Sequence, residues 1–247
     1  ISLSHIPLIG KPLTRAAAWV KDTIKSVFMS EEKEGFFDAL GFHYYGPIDG
    51  HDLSGLINTL EKVKALEEPV VVHVLTRKGY GYDKAEERPE IFHGTPPFYV
   101  ETGDARKRSA LPSFGKVMAN TLADFADGDE RIVTITAAMP GGTGLDHFAE
   151  RHPDRMLDVG ITEEHAVTLA AGMAAGGMKP YFAVYASFFQ RSFDQMIHDV
   201  CNQNLPVTMV LDRAGLVGED GETHHGVWDL ASMLPIPNMT ILAPRDI

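Results

Sequence analysis

The sequence contains little cysteine and a deficit of basic residues. Cys201 is the single cysteine among 247 residues, which excludes an intrachain disulfide framework, and we interpret it as a core residue of a protein from a reducing compartment, the cytoplasm. Lys and Arg number 22 against 34 Asp and Glu, giving a formal net charge of -12. Because no broad basic face is available for a phosphate backbone, we predict that nucleic acid is not a partner.

Long hydrophobic runs are also absent. No stretch of about 18 apolar residues occurs, so we predict no membrane-spanning helix and no membrane partner. Hydrophobic residues make up 44% and charged residues 23% of the chain, values typical of a globular protein rather than a disordered or coiled-coil one. The length allows one large domain or parts of two. A leader removed before Ile1 is compatible with this start.

The sequence of the first third of the chain predicts a β-α-β unit preceded by helices. The pattern predicts helices, a turn and strands in this order: helix Leu13–Val27, helix Glu34–Leu40, an extended His43–Tyr45, a turn at Gly46–Gly50, helix Leu53–Leu66 and strand Val70–Leu75. From Arg77 to Ser109 the sequence is polar, interrupted by Gly and Pro, and too long for an ordinary connection. We therefore predict an interdomain linker at residues 79–110, between domains at 1–78 and 111–247.

The second half alternates short apolar strands with helices. After a helix near Phe114–Phe125, five strands are predicted: Ile132–Ile135, Met156–Val159, Tyr181–Tyr185, Val207–Leu211 and Met239–Leu242. This rhythm predicts an α/β fold with a parallel sheet covered by helices on both faces and right-handed connections. Ligands of such sheets bind beyond the carboxyl ends of the strands. Four segments are expected to share that edge: Ala137–Gly142, Gly160–His165, Ala186–Arg191 and Asp212–Gly215.

Glu163, Glu164 and His165 open a predicted helix of small residues. Two interpretations stay open. In the first, Thr162 caps the helix and the glutamates complement its dipole, for a few tenths of a kcal/mol, roughly. In the second, one carboxylate points into the cleft as a fixed hydrogen-bond acceptor or proton-transfer group.

The predicted loop from Asp212 to His225 contains several glycines and many titratable side chains, including Arg213, Asp220 and His224. It is compatible with a solvated connection that carries incidental histidines. A metal site is disfavoured, because no His-x-x-x-His pair and no cysteine set accompany these residues. A third interpretation is that the loop binds an anionic substrate and transfers protons.

Aromatic side chains stand out in two further places. In the predicted linker, Tyr82, Phe92 and His93 lie beside glycines, and they are compatible either with a plug at a domain interface or with contact to a flat ligand. The group formed by Phe188, Phe189 and Phe193 is more typical of a core than of a cofactor wall. Arg191 and Asp194, three positions apart on the next helix, suit an exposed ion pair worth under about 1 kcal/mol.

Five motifs in register resemble the deoxyxylulose-phosphate synthase family of transketolase-like enzymes, over nearly the whole chain: Gly46–Asp52, Asp158–Val167, Tyr185–Arg191, Asp212–Gly221 and Thr223–Gly226. The resemblance implies a thiamine-diphosphate-binding, transketolase-like fold. In it, residues 1–78 would end the diphosphate-binding domain and residues 111–247 would form a pyrimidine-binding domain, incomplete at its C-terminal end. The family's Mg²⁺ ligands would lie upstream of this chain, so we expect no metal ligand within it.

The resemblance also implies a reaction. Pyruvate would be condensed with D-glyceraldehyde 3-phosphate, with decarboxylation, giving 1-deoxy-D-xylulose 5-phosphate and CO₂ for non-mevalonate isoprenoid, thiamine and pyridoxal synthesis. A homodimer is implied too. Three alternatives stay open: another transketolase-like enzyme such as transketolase or a 2-oxo-acid dehydrogenase component, an inactive fragment or binding subunit, and a metal hydrolase built on Asp220, His224 and His225.

By the family pattern, residue roles follow position by position. Glu163 would hydrogen-bond the aminopyrimidine ring of thiamine diphosphate, Phe188 would lie against that ring, and Tyr82 would reach the cofactor from the linker. Glu163 would act catalytically through that contact, and His93 and His224 would act catalytically in proton transfer. Arg213 would contact the substrate phosphate. The substrate-binding residues would be Tyr185, Arg191, Arg213, Asp220 and His224.

Overall fold

The computed structural model describes residues 35–106, 112–218 and 220–246. These residues form two compact units, one within 35–106 and the other within 112–246. The predicted helix Leu13–Val27 lies outside the described residues. Within them, no helix is long and apolar enough to cross a membrane.

The first unit contains one parallel strand pair. Its elements are α1 (Phe36–Ala39), β1 (His43–Asp49), α2 (Leu53–Lys64), β2 (Val70–Leu75) and α3 (Asp83–Glu87). Strands β1 and β2 pair in parallel, which confirms the predicted β-α-β unit. Helix α2 begins after Asp52, whose carboxylate accepts a hydrogen bond from the Gly55 N–H at 3.1 Å, as an N-cap aspartate does.

The predicted turn at Gly46–Gly50 is wrong for most of its length. Residues 46–49 belong to β1, whose register with β2 shifts between Tyr45 and Ile48. A Cβ on Gly46 would lie 2.6 Å from the carbonyl oxygen of His73 in β2. The glycine therefore reflects close backbone approach at a strand irregularity rather than a chain reversal.

The segment predicted as a linker carries structure of its own within the first unit. It contains α3 and an isolated antiparallel bridge between Phe98 and Ala105. The rings of Tyr82, Phe92 and Phe98 pack together, with centroids 5.2 to 6.0 Å apart. These aromatic side chains thus form a small cluster that ties the segment together.

The second unit is built on a four-stranded sheet. Its α-helices and strands are α4 (Phe114–Gly128), β3 (Ile132–Thr136), α5 (Pro140–Thr143), α6 (Asp146–Arg151), β4 (Met156–Asp158), α7 (Glu163–Ala175), β5 (Lys179–Tyr185), α8 (Ala186–Phe189), α9 (Phe193–Gln195), β6 (Thr208–Asp212) and α10 (Asp229–Met233). A π-helix, Met196–Cys201, continues α9. The strand order is β4-β3-β5-β6 and every pairing is parallel. The predicted α/β fold with a parallel sheet is confirmed.

Both faces of this sheet are covered. Phe182 and Val184 of β5 pack in one core cluster with α7, whereas Ala183 between them packs in a second cluster with α4. Alternate side chains of a strand point to opposite faces, so the two clusters lie on the two sides of the sheet. Cys201 is buried in the first cluster, which confirms its predicted core position, and burial raises the pKa of its thiol.

The predicted strand Met239–Leu242 is wrong. Residues 239–246 form neither helix nor strand. Met239 and Ile241 are partly buried against the core cluster around α7, so the apolar alternation that suggested a strand reflects side-chain packing without backbone pairing. The other four predicted strands are present, with ends that differ by one or two residues.

Candidate active site

The carboxyl ends of all four strands of the second unit lie on one edge, because every pairing is parallel. Thr136 at the end of β3 pairs with Asp158 on one side and with Ala183 on the other, and Tyr185 pairs with Asp212. The four segments predicted to follow these strands therefore share that edge, as expected. Open parallel sheets bind ligands there.

Two residues at this edge have unusual backbone conformations. Ala138 after β3 and Arg213 after β6 both have φ of 59°, in the left-handed region that non-glycine residues enter rarely and that concentrates at functional sites. The Asp158 Oδ1 accepts hydrogen bonds from the N–H groups of Ala138 at 2.8 Å and Gly160 at 3.0 Å. Asp158 therefore fixes two neighbouring strand ends, a role that sequence reasoning missed although the residue stood inside a quoted motif.

Glu163 at the start of α7 is buried, with 1% of its surface exposed. Its neighbours Glu164 and His165 are exposed. Thr162 occupies the N-cap position but does not cap the helix with its side chain; instead, its hydroxyl donates to the Val159 carbonyl at 2.8 Å. The helix-cap interpretation is therefore wrong for Thr162, and the geometry favours a carboxylate held at the sheet edge.

The two oxygens of Glu163 have different surroundings. Oε1 accepts a hydrogen bond from Nη1 of Arg191 at 2.8 Å, whereas Oε2 is buried and has no hydrogen-bond partner among the described residues. A buried carboxylate is costly unless paired and hydrogen-bonded, and leaving an acceptor unmet costs about 1–3 kcal/mol, or more when it is charged. The site thus presents one bonded oxygen and one oxygen able to accept a donor from a ligand.

Arg191 does not form the predicted local ion pair. Its guanidinium bonds to Glu163, and its carbon Cζ lies 5.7 Å from the centroid of the Phe188 ring. Asp194 lies instead 3.7 Å from the ring nitrogen Nε2 of His198. Arg191 pairs with Glu163 because α7 packs near the segment that follows α8. Residue spacing along a single helix cannot predict such a tertiary contact.

Three rings pack together, one of which, Phe188, contacts Arg191. Tyr185 and Phe188 are stacked with centroids 5.8 Å apart, and His224 approaches Phe188 edge-on at 5.3 Å. Phe188 is half-buried, whereas Phe189 is fully buried in the core. The predicted core position is therefore correct for Phe189. Phe188 instead contacts the candidate site residues Tyr185, His224 and Arg191.

Tyr185 is held by burial and by a glycine. A Cβ at Gly142 would lie 2.9 Å from the tyrosine Oη, so glycine leaves the room that the phenol occupies. Burial raises the pKa of Tyr185, the charge of Arg213 opposes that shift, and Asp212 and Asp220 add to it. The net effect raises the pKa of Tyr185 and so favours the neutral phenol, which can donate a hydrogen bond.

Arg213 is the cation at the end of β6. Its Nε donates to Asp220 Oδ2 at 2.9 Å and its Nη1 to Asp212 Oδ2 at 3.4 Å, while Cζ lies 4.8 Å from the centroid of the Tyr185 ring. Burial acts to lower the pKa of Arg213, but the Asp220 hydrogen bond and the nearby negative charges outweigh it, so the pKa is raised. The arrangement holds a permanent positive charge beside a ring and two carboxylates.

Comparison with known proteins identifies the family of the chain. Residues 111–247 match the transketolase pyrimidine binding domain, and residues 2–76 match the 1-deoxy-D-xylulose-5-phosphate synthase domain. The chain belongs to the 1-deoxy-D-xylulose-5-phosphate synthase family of transketolase-like proteins. It is 50% identical over 244 residues to the synthase of Alkaliphilus oremlandii and 53% identical over 248 residues to that of Nitratidesulfovibrio vulgaris strain DP4.

The chain spans only part of these family members. The two alignments cover 99% of this chain, but 39% of the Alkaliphilus protein and 38% of the Nitratidesulfovibrio protein. Among solved structures, transketolase from Leishmania mexicana aligns with a TM-score of 0.45 and 18% identity, over 86% of this chain and 44% of that one.

Two residues that the family pattern nominates, Tyr82 and His93, lie in the first unit. Tyr82 is half-buried and its hydroxyl donates to the Val100 carbonyl at 2.7 Å. Burial, with a smaller effect of the Glu101 charge, raises its pKa. His93 is exposed, with Nδ1 3.1 Å from Nζ of Lys78. Their contact with cofactor and pyruvate stays a prediction.

The metal-hydrolase alternative finds no support in the described parts of the chain, where no group of three or more His, Cys, Asp or Glu side chains is arranged to hold a metal ion. Two of its three nominated ligands are engaged otherwise. Asp220 accepts from Arg213, and the His225 Nδ1 accepts from the Val217 N–H at 3.0 Å. These bonds build the loop rather than a metal centre.

Proposed function

We propose that this chain contributes the pyrimidine-binding and acceptor-binding residues of an enzyme that condenses pyruvate with D-glyceraldehyde 3-phosphate, with decarboxylation. The products are 1-deoxy-D-xylulose 5-phosphate and CO₂, which places the reaction at the start of non-mevalonate isoprenoid synthesis and upstream of thiamine and pyridoxal synthesis. The observation that carries the proposal is the Glu163 carboxylate, buried with one oxygen on Arg191 and the other unpartnered. Identities of 50% and 53% to proteins named as this synthase support it.

Thiamine diphosphate fits the residues around Glu163. The unpartnered Oε2 would accept a hydrogen bond from the aminopyrimidine ring, and Phe188 would contact the flat face of that ring. When bound, the cofactor supplies the electron sink for decarboxylation. The described residues offer no comparable set of ligands for Mg²⁺, so Mg²⁺ is proposed from the family resemblance alone, with its ligands elsewhere.

The protein's own residues divide the remaining work. Arg191 donates to Oε1 of Glu163 and fixes the carboxylate, so that Oε2 would be the acceptor for the aminopyrimidine ring. His224 has Nδ1 2.9 Å from the Thr223 hydroxyl, which leaves Nε2 as the nitrogen available to exchange a proton with a substrate oxygen. His93 is proposed to exchange protons on the pyruvate side, and Tyr82 to contact the cofactor.

Arg213 is proposed to bind the phosphate of the acceptor. Arginine pairs well with phosphate because its guanidinium presents a planar fork of donors. Asp220 occupies the Nε of this guanidinium at 2.9 Å, so a phosphate would share or displace that contact. Tyr185 adds a neutral hydroxyl donor beside it.

Further partners follow from the resemblance. Transketolase-like enzymes of this family imply a homodimer, and we propose that arrangement and a cytoplasmic location for the protein that contains this chain. Sedimentation of that protein at micromolar concentration tests the dimer. A monomer with full synthase activity would contradict it.

The deciding experiment supplies the purified protein with pyruvate, thiamine diphosphate and Mg²⁺, with and without D-glyceraldehyde 3-phosphate, and identifies the product by mass spectrometry. We expect deoxyxylulose phosphate only when both substrates are present. Product formed from xylulose 5-phosphate as the donor, or acyl transfer that requires a lipoyl carrier, would replace the proposal by one of the other transketolase-like activities. Cofactor binding without any product would show that the site is a binding module.

A further inference from the structure

The loop that follows β6 is closed at a narrow neck. Gly215 and Gly226 exchange two backbone hydrogen bonds, each of 2.9 Å. A third bond, in which a side chain is the acceptor, lies just inside this neck: the Val217 N–H donates to Nδ1 of His225 at 3.0 Å. His225 is half-buried, so this bond is partly shielded from competing water.

The neck lies between the groups that contact the proposed substrate. His224, directly before His225, meets the Phe188 ring, and Asp220 within the loop bonds to Arg213. On the sheet side, a Cβ at Gly226 would lie 2.5 Å from Cβ of Ala186 and 3.0 Å from the Arg213 carbonyl oxygen. A change in the neck would therefore move His224 and the Arg213–Asp220 pair together.

The direction of the third bond fixes the chemical form of His225. A backbone N–H can only donate, so Nδ1 must be unprotonated and a neutral ring must carry its proton on Nε2. Protonation of Nδ1 would place two N–H groups face to face. The adjacent histidines thus have different surroundings: His224 contacts rings of the site, and His225 contacts the backbone of the loop.

We propose that His225 is a positioning residue whose unprotonated Nδ1 holds the loop neck closed and so sets His224 and Asp220 against Tyr185 and Arg213. It acts through these residues and does not touch the substrate. Its effect on substrate rests on the proposed function, because the acceptor phosphate is assigned to Arg213. Its effect on the loop rests on the hydrogen bond alone.

Two variants separate the acceptor from the ring. In His225→Asn, the amide oxygen is attached to Cγ, as Nδ1 is, so an acceptor remains in the same place. In His225→Leu, a branched side chain occupies the space without an acceptor. His198→Leu makes the same chemical change at a histidine whose side chain is 68% exposed and serves as the control.

The first measurement is hydrogen exchange of the Val217 amide by NMR. Since a hydrogen bond contributes roughly 1 kcal/mol net, we expect about fivefold faster exchange in His225→Leu, with His225→Asn and His198→Leu close to the parent protein. A ¹⁵N shift of His225 Nδ1 typical of an unprotonated ring nitrogen is expected as well. Unchanged exchange in His225→Leu, or a protonated Nδ1, would overturn the proposal.

The second measurement uses synthase turnover by the full-length protein. His225→Leu is expected to raise the KM for D-glyceraldehyde 3-phosphate about fivefold with a smaller change in kcat, and His225→Asn to restore it. Faster exchange with an unchanged KM would show that the bond is only structural and would refute the positioning role. If the parent protein makes no deoxyxylulose phosphate, the proposed function fails, while the exchange experiment still judges the loop.

Discussion

The two sides of the candidate site are built in different ways. On one side, Glu163 begins a helix whose Ala166, Val167 and Ala170 are buried in the core, so packing places the carboxylate. On the other side, Arg213 and the loop after it are held by polar contacts among partly exposed residues, chiefly Asp220 and the His225 bond. The helix side is therefore expected to be rigid, and the loop side to be adjustable and sensitive to single hydrogen bonds.

The largest expected effect tests the helix side. Glu163→Gln keeps the shape but removes the charge, and we expect synthase activity to fall at least about 100-fold, the scale at which positioned acid–base groups contribute. Stability should change by less than about 1 kcal/mol, because glutamine keeps an oxygen for Arg191 and replaces one unpartnered buried polar atom, Oε2, by another. Turnover and thermal unfolding check both statements.

The neighbouring glutamate is the matched control for this substitution. Glu164 is exposed in the same helical turn, so Glu164→Gln is expected to retain activity within about twofold of the parent, as surface substitutions usually do. Equal losses in the two variants would mean that charge at the helix start, rather than the buried carboxylate, supports activity. Calorimetric binding of thiamine diphosphate to both variants gives a readout independent of turnover.

The next effect concerns how tightly the loop neck packs against the first residues of α8 and α10. In Gly226→Ala, the new methyl group would lie 2.5 Å from Cβ of Ala186 and 2.9 Å from Oδ2 of Asp229. Overpacking of this kind lowers the free energy of unfolding by about 1–3 kcal/mol, measurable by urea denaturation. In Gly218→Ala in the same loop, the new methyl group meets no atom of the described residues within 4 Å, so stability should be nearly unchanged. An equal loss there would indicate that the loop needs glycine flexibility instead.

The loop side should distinguish phosphorylated from unphosphorylated aldehyde substrates. Arg213→Met is expected to raise the KM for D-glyceraldehyde 3-phosphate about tenfold, since charge-assisted hydrogen bonds are worth about 1.5–3 kcal/mol and Asp220 already competes for the guanidinium. Unphosphorylated D-glyceraldehyde serves as the control ligand and should be affected within about twofold. Equal losses for both aldehydes would assign Arg213 to loop structure rather than to phosphate binding.

The same contrast explains what the sequence alone could predict. Short apolar runs predicted the four strands of the second unit. The rule that ligands bind beyond the ends of parallel strands directed attention to the segments that contain Glu163 and Arg213. Packing patterns of this kind are periodic and local. Met239 and Ile241 show the limit, because apolar side chains can pack on a core without forming a strand.

Contacts between distant segments were not predictable in this way. Local spacing nominated Asp194 as the partner of Arg191, whereas tertiary structure supplies Glu163 from another helix. The bond between Val217 and His225 likewise depends on how the loop closes. Hydrogen bonds that join elements across a fold leave no period in the sequence, so the loop side was recognised by its composition and its geometry came only from the structure.

The smallest effect concerns a polar group beneath the loop neck. Oδ2 of Asp229 is buried without a hydrogen-bond partner among the described residues, and burial raises the pKa of this carboxyl. An acid with a raised pKa in the folded state is least favourable when ionised, so its penalty is present at neutral pH and disappears as the pH falls below the ordinary aspartate value of about 3.9. Asp229→Asn should therefore stabilise the protein at pH 7.

The size and the pH dependence of this gain in stability distinguish removal of a buried charge from a change in packing. Because Asp229 is only half-buried, water screens its charge, and we expect a gain of less than about 1 kcal/mol from urea denaturation at pH 7. This gain should shrink as the pH falls through the raised pKa of Asp229 toward the ordinary aspartate value of about 3.9. Asp194→Asn, at a side chain 78% exposed, should show no such gain. A gain for Asp229→Asn that persists unchanged at pH 4 would assign the effect to packing, and a loss at pH 7 would mean that the ionised carboxylate has a partner that supports the loop side.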